Sequence, residues 1–277
     1  MSPRPPSALT IAGSDSGGGA GIQADLKTFA AFGVHGTSAI AALTAQNTRG
    51  VSAVHVPPVA FVRAQIDASF SDFDIRAVKL GMLATAEMIH AVADALDAWT
   101  PTHVVVDPVM IATSGARLLE PEAVAALRER LLPLATVLTP NIPEAETLLG
   151  RSIADARDAT EALQALRALG PRAVMLKGAH LDEHDGTVHD RWLDDAGAAE
   201  FVHPRLAIEG HGTGCTLASA IAAGLALGNS AREAARMGTD YVAKALASGY
   251  RPGHGDVVVL GSVRDSIVTR YTPIKPV

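Results

Sequence analysis

His211-Gly212-Thr213-Gly214-Cys215-Thr216 sets the chain's only cysteine and two hydroxyls among glycines, directly ahead of the apolar run Leu217 to Ala223. The stretch reads as a small-residue loop that opens a helix. Its glycines let the backbone turn tightly and approach a ligand. The first free amides of the helix point out of its end, where the dipole favours negative charge. Such a tip can hold an anion, or the charge that develops as a phosphoryl group moves. The plainer alternative is a tight loop in front of an alanine-rich core helix.

Other reactive types fall at the ends of apolar runs. Asp107 and Glu144 follow two different runs, with Asn141 beside the second. Two acids at one sheet edge can hold Mg²⁺, mostly through waters. Lys177 can neutralise phosphate oxygens as a point charge. Gln46 carries an amide that donates and accepts at once, as an aminopyrimidine edge requires. Against each stands the plain role of a solvated strand end or turn residue. Gly19-Ala20-Gly21-Ile22-Gln23-Ala24 fits the dinucleotide pattern G-x-G-x-x-A, but the next strand ends at Thr44-Ala45-Gln46-Asn47 without the acid that would hold a ribose. No Walker-type phosphate loop is present. His184 and His189 flank acids, where a solvated turn is the simpler reading than a metal site.

The elements that must position these residues alternate. Runs at 8–13, 37–45, 75–80, 103–108, 135–139 and 173–176 read as strands. Helical patterns cover 21–32, 59–70, 86–98, 121–132, 143–149, 159–169, a stretch opened by Gly212, and 231–248. Residues 186–194 and 199–203 alternate polar and apolar around an Asp-Asp-Ala-Gly turn, which predicts an edge hairpin, and 257–260 reads as a last strand. Continuous apolar strands between helices predict a three-layer α/β/α body with a mostly parallel central sheet. In such sheets ligands bind beyond the carboxyl ends of the strands, where the polar residues collect. With 277 residues, no repeat and no linker, residues 8–277 read as one domain behind a Pro-rich, disordered lead over 1–7.

Composition narrows the class. The net charge is −6, with no basic run, which argues against nucleic acid as the main partner. No apolar run reaches a membrane-spanning length. A single cysteine excludes an intrachain disulfide and fits a reducing compartment, so the expected location is cytoplasmic.

Taken together, the motifs change the weighing. Gly13 to Lys27, Thr44-Ala45-Gln46-Asn47-Thr48, Lys79-Leu80-Gly81-Met82-Leu83 and Asp107-Pro108-Val109-Met110 resemble, in order, the signatures of hydroxymethylpyrimidine/phosphomethylpyrimidine kinases. So do Thr139 to Ala145, Lys177-Gly178-Ala179-His180 and His211 to Thr216. That family is the thiamine-biosynthesis branch of the ribokinase-like superfamily. The resemblance implies a ribokinase-like fold with little or no lid, usually a homodimer. It implies ATP-dependent phosphorylation of 4-amino-5-hydroxymethyl-2-methylpyrimidine, and then of its monophosphate, with Mg²⁺. It also implies that Gln46 reads the pyrimidine edge while Gly13, Ala20, Thr44, Met82 and Val109 line its pocket, helped by Asp25. Asn141, Lys177 and Thr213 would then meet the ATP phosphates, with Glu144 and Asp107 toward the metal. Gly212, Thr213, Gly214 and Cys215 would form the anion hole, and Cys215 would be base or hydroxyl positioner. A pyridoxine/pyridoxal kinase of the same branch is the alternative.

Overall fold

The computed structural model describes residues 4–111, 118–181, 186–208 and 210–261. Nine strands of the described residues form one sheet. β1 (Ser7–Asp15), β2 (His35–Asn47), β4 (Ile75–Leu80), β5 (His103–Val106), β6 (Val137–Leu138) and β7 (Ala173–Leu176) are parallel. β3 (Gly50–His55), β8 (Thr187–Asp194) and β9 (Gly197–Pro204) are antiparallel to their neighbours at the two edges. The order is β3-β2-β1-β4-β5-β6-β7-β8-β9, so the winding reverses between β1 and β4. A crevice at such a reversal is where open α/β sheets bind ligands.

Helices cover both faces. α1 (Gly21–Ala31), α7 (Thr213–Ala226) and α8 (Ala231–Ala247) pack on one side, around Phe29, Trp192 and Ile221. On the other, α2 (Val59–Asp72), α3 (Ala86–Trp99), α4 (Pro121–Ala126), α5 (Ile142–Leu149) and α6 (Ala156–Arg167) bury Ile66, Ile89, Leu148 and Leu166 against Leu9, Val78 and Leu138. This is the expected three-layer body. Buried parallel strands need apolar residues on both faces, which β5 and β7 supply as His-Val-Val-Val and Ala-Val-Met-Leu.

Several expectations shift. β3 was not foreseen, because it is exposed along most of its length and carries no buried face to mark it. The helix expected over 121–132 changes pitch: α4 passes into a π-helical turn at Leu127–Leu131 and a 3-10 turn at Leu132–Leu134, where Pro133 brings no amide. β11 (Val258–Val259) leaves the main sheet to pair with β10 (Gly210–His211). Ser7, assigned to the lead, is buried in β1, and its amide donates to the Asp74 carbonyl at 3.3 Å. Residues 1–3, His184 and the stretch from 262 to 277 lie outside the described residues.

Candidate active site

The carboxyl ends of the strands open into a cavity of about 870 Å³. One wall is the tip of α7. Gly212 caps that helix with φ 82° and brings no side chain of its own to its first amides. A Cβ on Gly212 would stand 2.1 Å from the Gly19 carbonyl oxygen, so only glycine lets the tip press against the turn before α1. Burial, together with the nearby carboxylates of Asp107 and Asp25, pushes the Cys215 thiol up to about 11, and Lys79 offsets this only in part. A helix tip stabilises thiolate, but here desolvation outweighs that pull.

Opposite the tip sits a charged cluster. The Lys177 amide donates to the Pro140 carbonyl at 2.9 Å, which fixes the end of β7 beside α5. Lys177 Nζ then lies 3.1 Å from Asp107 Oδ1 and 3.6 Å from Glu144 Oε2. Burial favours the neutral amine, but Asp107 and Glu144 outweigh it and hold Lys177 charged. A Cβ on Gly214 would stand 3.1 Å from Lys177 Nζ, so the missing side chain brings the ammonium against the α7 tip. Asn141 and Glu144 form a capping box on α5: Asn141 Oδ1 accepts from the Glu144 amide at 2.9 Å, and Glu144 Oε2 from the Asn141 amide at 2.7 Å. Burial raises the Glu144 carboxyl; Lys177 opposes this and Asp107 adds to it.

Asp107 Oδ2 is buried and has no hydrogen-bond partner among the described residues. An orphaned carboxylate oxygen beside a second acid fits a cation site. No group of three His, Cys, Asp or Glu side chains among the described residues can hold a metal. That sparse donor set suits Mg²⁺, which keeps its waters and binds through one or two carboxylates and substrate phosphates.

The other end of the cavity is built on β1 and β2. Gln46, Thr44, Gly13, Ala20, Met82 and Val109 all line it. Asp15 Oδ2 accepts from the amides of Gly19 and Ala20, at 3.0 and 2.8 Å, and Oδ1 from Gly17 at 2.7 Å. His211 Nε2 is 3.1 Å from Asp15 Oδ2 and 3.2 Å from Gln46 Nε2. Burial works to raise Asp15, but the His211 bond and the turn amides outweigh it and hold the carboxyl down to about 2.

The expected site residues thus meet at one cavity: Gly13, Ala20, Thr44, Gln46, Met82, Asp107, Val109, Asn141, Glu144, Lys177, Gly212, Thr213, Gly214 and Cys215 all line it. Asp25 is the exception and corrects the expectation that it helps hold substrate. It is fully buried beneath the cavity floor, where Lys79 Nζ donates to both its oxygens at 2.9 Å. Thr10 and Ser219 donate to it at 2.6 and 2.7 Å. Sequence reasoning passed over this pair and gave Asp15 and His211 no role. An Asp ahead of a Gly-rich turn is a recognisable turn cap, but nothing marks a contact between residues 15 and 211 in advance.

The family model for phosphomethylpyrimidine kinase matches residues 15–260. The chain belongs to the phosphomethylpyrimidine kinase family. It is 51% identical over 246 residues to the hydroxymethylpyrimidine/phosphomethylpyrimidine kinase of Rhizobium meliloti, covering 88% of this chain and 91% of that one. It is 52% identical over 254 residues to the bifunctional thiamine biosynthesis protein ThiED of Geobacter sulfurreducens, covering 91% of this chain and 51% of that longer protein. Among solved structures, an ADP complex of Bacillus subtilis pyridoxal kinase superposes with a TM-score of 0.86 at 34% identity, covering 94% of this chain and 98% of that one. The phosphomethylpyrimidine kinase of Clostridium difficile gives 0.75 at 45% identity, covering 85% and 97%. The fold is the ribokinase-like one that the motifs implied.

Proposed function

We propose that the two ends of this cavity hold a pyrimidine and the phosphates of ATP for phosphoryl transfer between them. The chain is a hydroxymethylpyrimidine and phosphomethylpyrimidine kinase of thiamine biosynthesis. It moves the γ-phosphoryl of ATP to the hydroxymethyl group of 4-amino-5-hydroxymethyl-2-methylpyrimidine, and then a second one to the monophosphate. One observation carries the assignment of roles: Gln46 Nε2 lies 3.2 Å from the imidazole of His211, the residue immediately before the glycine that opens α7. A ring held by Gln46 therefore has its substituents beside the anion-binding tip.

Phosphoryl transfer asks the protein for positioning and charge neutralisation more than for covalent chemistry. Lys177 meets the phosphates as a fixed cation, with Asn141 and Thr213 beside it. The amides of Thr213, Gly214 and Cys215 face the migrating group. Cys215, protonated at neutral pH, holds the acceptor hydroxyl in line; a loose transition state needs little more from a base. Asp107 and Glu144 would hold Mg²⁺ through water. When bound, the ion neutralises phosphate charge.

The protein is assigned to the cytoplasm as a homodimer. In support, no helix among the described residues is long and apolar enough to cross a membrane, and β3 leaves an exposed strand at the sheet edge. The second reading, a pyridoxal kinase, has in its favour the superposition on pyridoxal kinases. A coupled assay counting ADP released per acceptor separates them: two ADP per pyrimidine are expected. Turnover with pyridoxal and none with the pyrimidine would reverse the assignment.

A further inference from the structure

The contact among Asp15, His211 and Gln46 constrains where its protons sit. Asp15 is ionised at neutral pH, held down by its turn amides and the imidazole. A carboxylate oxygen 3.1 Å from His211 Nε2 accepts, so that nitrogen carries a proton. The same Nε2 lies 3.2 Å from Gln46 Nε2. Two donors cannot face each other, and amide oxygen and nitrogen are told apart only by their partners.

Turning the amide over resolves every member. Gln46 Oε1 then accepts from His211 Nε2, which shares its proton between Asp15 and Gln46. The amide NH₂ faces Thr44 Oγ1, 3.1 Å from that end of the amide. The Thr44 hydroxyl, relieved of donating to Gln46, gives its one proton to the Ser14 carbonyl at 3.0 Å. We infer that Asp15, acting through His211, is a positioning pair that fixes the Gln46 amide with its oxygen on the α7 side and its NH₂ on the Thr44 side.

The orientation decides which way round the ring sits, and this rests on Gln46 reading the ring edge. The substrate presents, in order, a ring nitrogen, an amino carbon and the carbon bearing the hydroxymethyl group. The ring nitrogen accepts from the amide NH₂ on the Thr44 side, and the amino group donates to Oε1 on the α7 side. The next substituent in that order, the hydroxymethyl group, then points on toward Gly212 and Cys215. The reverse amide would aim it away from the tip. Pyridoxal lacks an amino group beside its ring nitrogen, so it matches neither orientation of the amide.

The test begins without substitution. ¹⁵N-detected NMR of imidazole-labelled, substrate-free protein is expected to show His211 protonated at Nε2; a bare Nε2 overturns the inference. His211→Leu removes the donor, and His211→Gln keeps an N–H near the same place. Leu is expected to lower the ratio of kcat/KM for the pyrimidine over pyridoxal by about tenfold or more, the scale of a lost charge-assisted hydrogen bond. Its KM for ATP should stay put, and Gln should restore most of the ratio. An unchanged ratio in His211→Leu overturns the pair. Gln46→Ala separates the two levels. A raised pyrimidine KM there, with a bare Nε2 in the spectrum, leaves Gln46 as ring reader and sinks the pair alone. An unchanged KM sinks the reading of Gln46, and the pair with it.

Discussion

Asp25→Asn distinguishes a structural acid from a substrate-binding one. Asp25 and Lys79 are both fully buried, joined by two 2.9 Å contacts, with Thr10 and Ser219 completing the carboxylate. The asparagine keeps an acceptor for only one of the two hydroxyls, which donate to different oxygens, and leaves the Lys79 ammonium without its paired counter-charge. Removing one member of a buried pair costs about 3–5 kcal/mol, mostly the penalty of the stranded charge. For a domain of this size each kcal/mol lowers Tm by roughly 2–4 °C, so the loss should be roughly 6–20 °C. Because Asp25 does not line the cavity, the pyrimidine KM measured well below the new Tm should move by less than about threefold. Adding Lys79→Met removes the stranded ammonium and should recover a large part of the loss, a coupling read directly from the double-mutant cycle. Thermal unfolding and steady-state kinetics on the same preparations decide the matter. A Tm within about 2 °C of the parent, together with a tenfold or greater rise in pyrimidine KM, would refute the structural account.

Three further outcomes follow from the geometry. Gly212→Ala must place a Cβ 2.1 Å from the Gly19 oxygen at φ 82°, so turnover should collapse and the melting temperature fall, with the left-handed strain alone costing about 1 kcal/mol or more. The Asp15 carboxyl is lowered from 3.8 to about 2, so it contributes about 2 kcal/mol that is fully present above pH 4 and lost as pH falls toward 2; urea titrations should show that acid limb flattened in Asp15→Asn. Cys215, raised from 9.0 to about 11, should alkylate with iodoacetamide roughly 100-fold more slowly at pH 7.5 than an ordinary thiol, with the rate still climbing above pH 10; a plateau near pH 8 would contradict it.

Much of the fold is written locally. β7 runs over the residues its apolar stretch predicts, because a strand buried on both faces must be apolar throughout; β4 also keeps its predicted bounds, although Arg76 and the buried Lys79 interrupt its apolar run. The glycine-opened α7 was legible for the same kind of reason: Gly212 has a conformation that other residues rarely take. β3 was not legible, since an exposed edge strand bears no burial pattern, and β11 was legible as a strand but not as a partner of β10.

The site divides along the same line. The sequence alone determined which residue types stand at strand ends: Lys177, Asp107, Asn141 with Glu144, Gln46 and the 212–215 loop. Composition and spacing are local properties, and motifs record them. Only the tertiary structure decided which of these face the cavity and in what charge state. It withdrew Asp25 beneath the floor to neutralise Lys79, and it brought His211 across 196 positions of sequence onto Asp15. It also raised the Cys215 thiol, where the helix tip by itself argued for a lower value. The physical reason is that desolvation and charge pairing depend on distance in space, which chain order does not encode residue by residue.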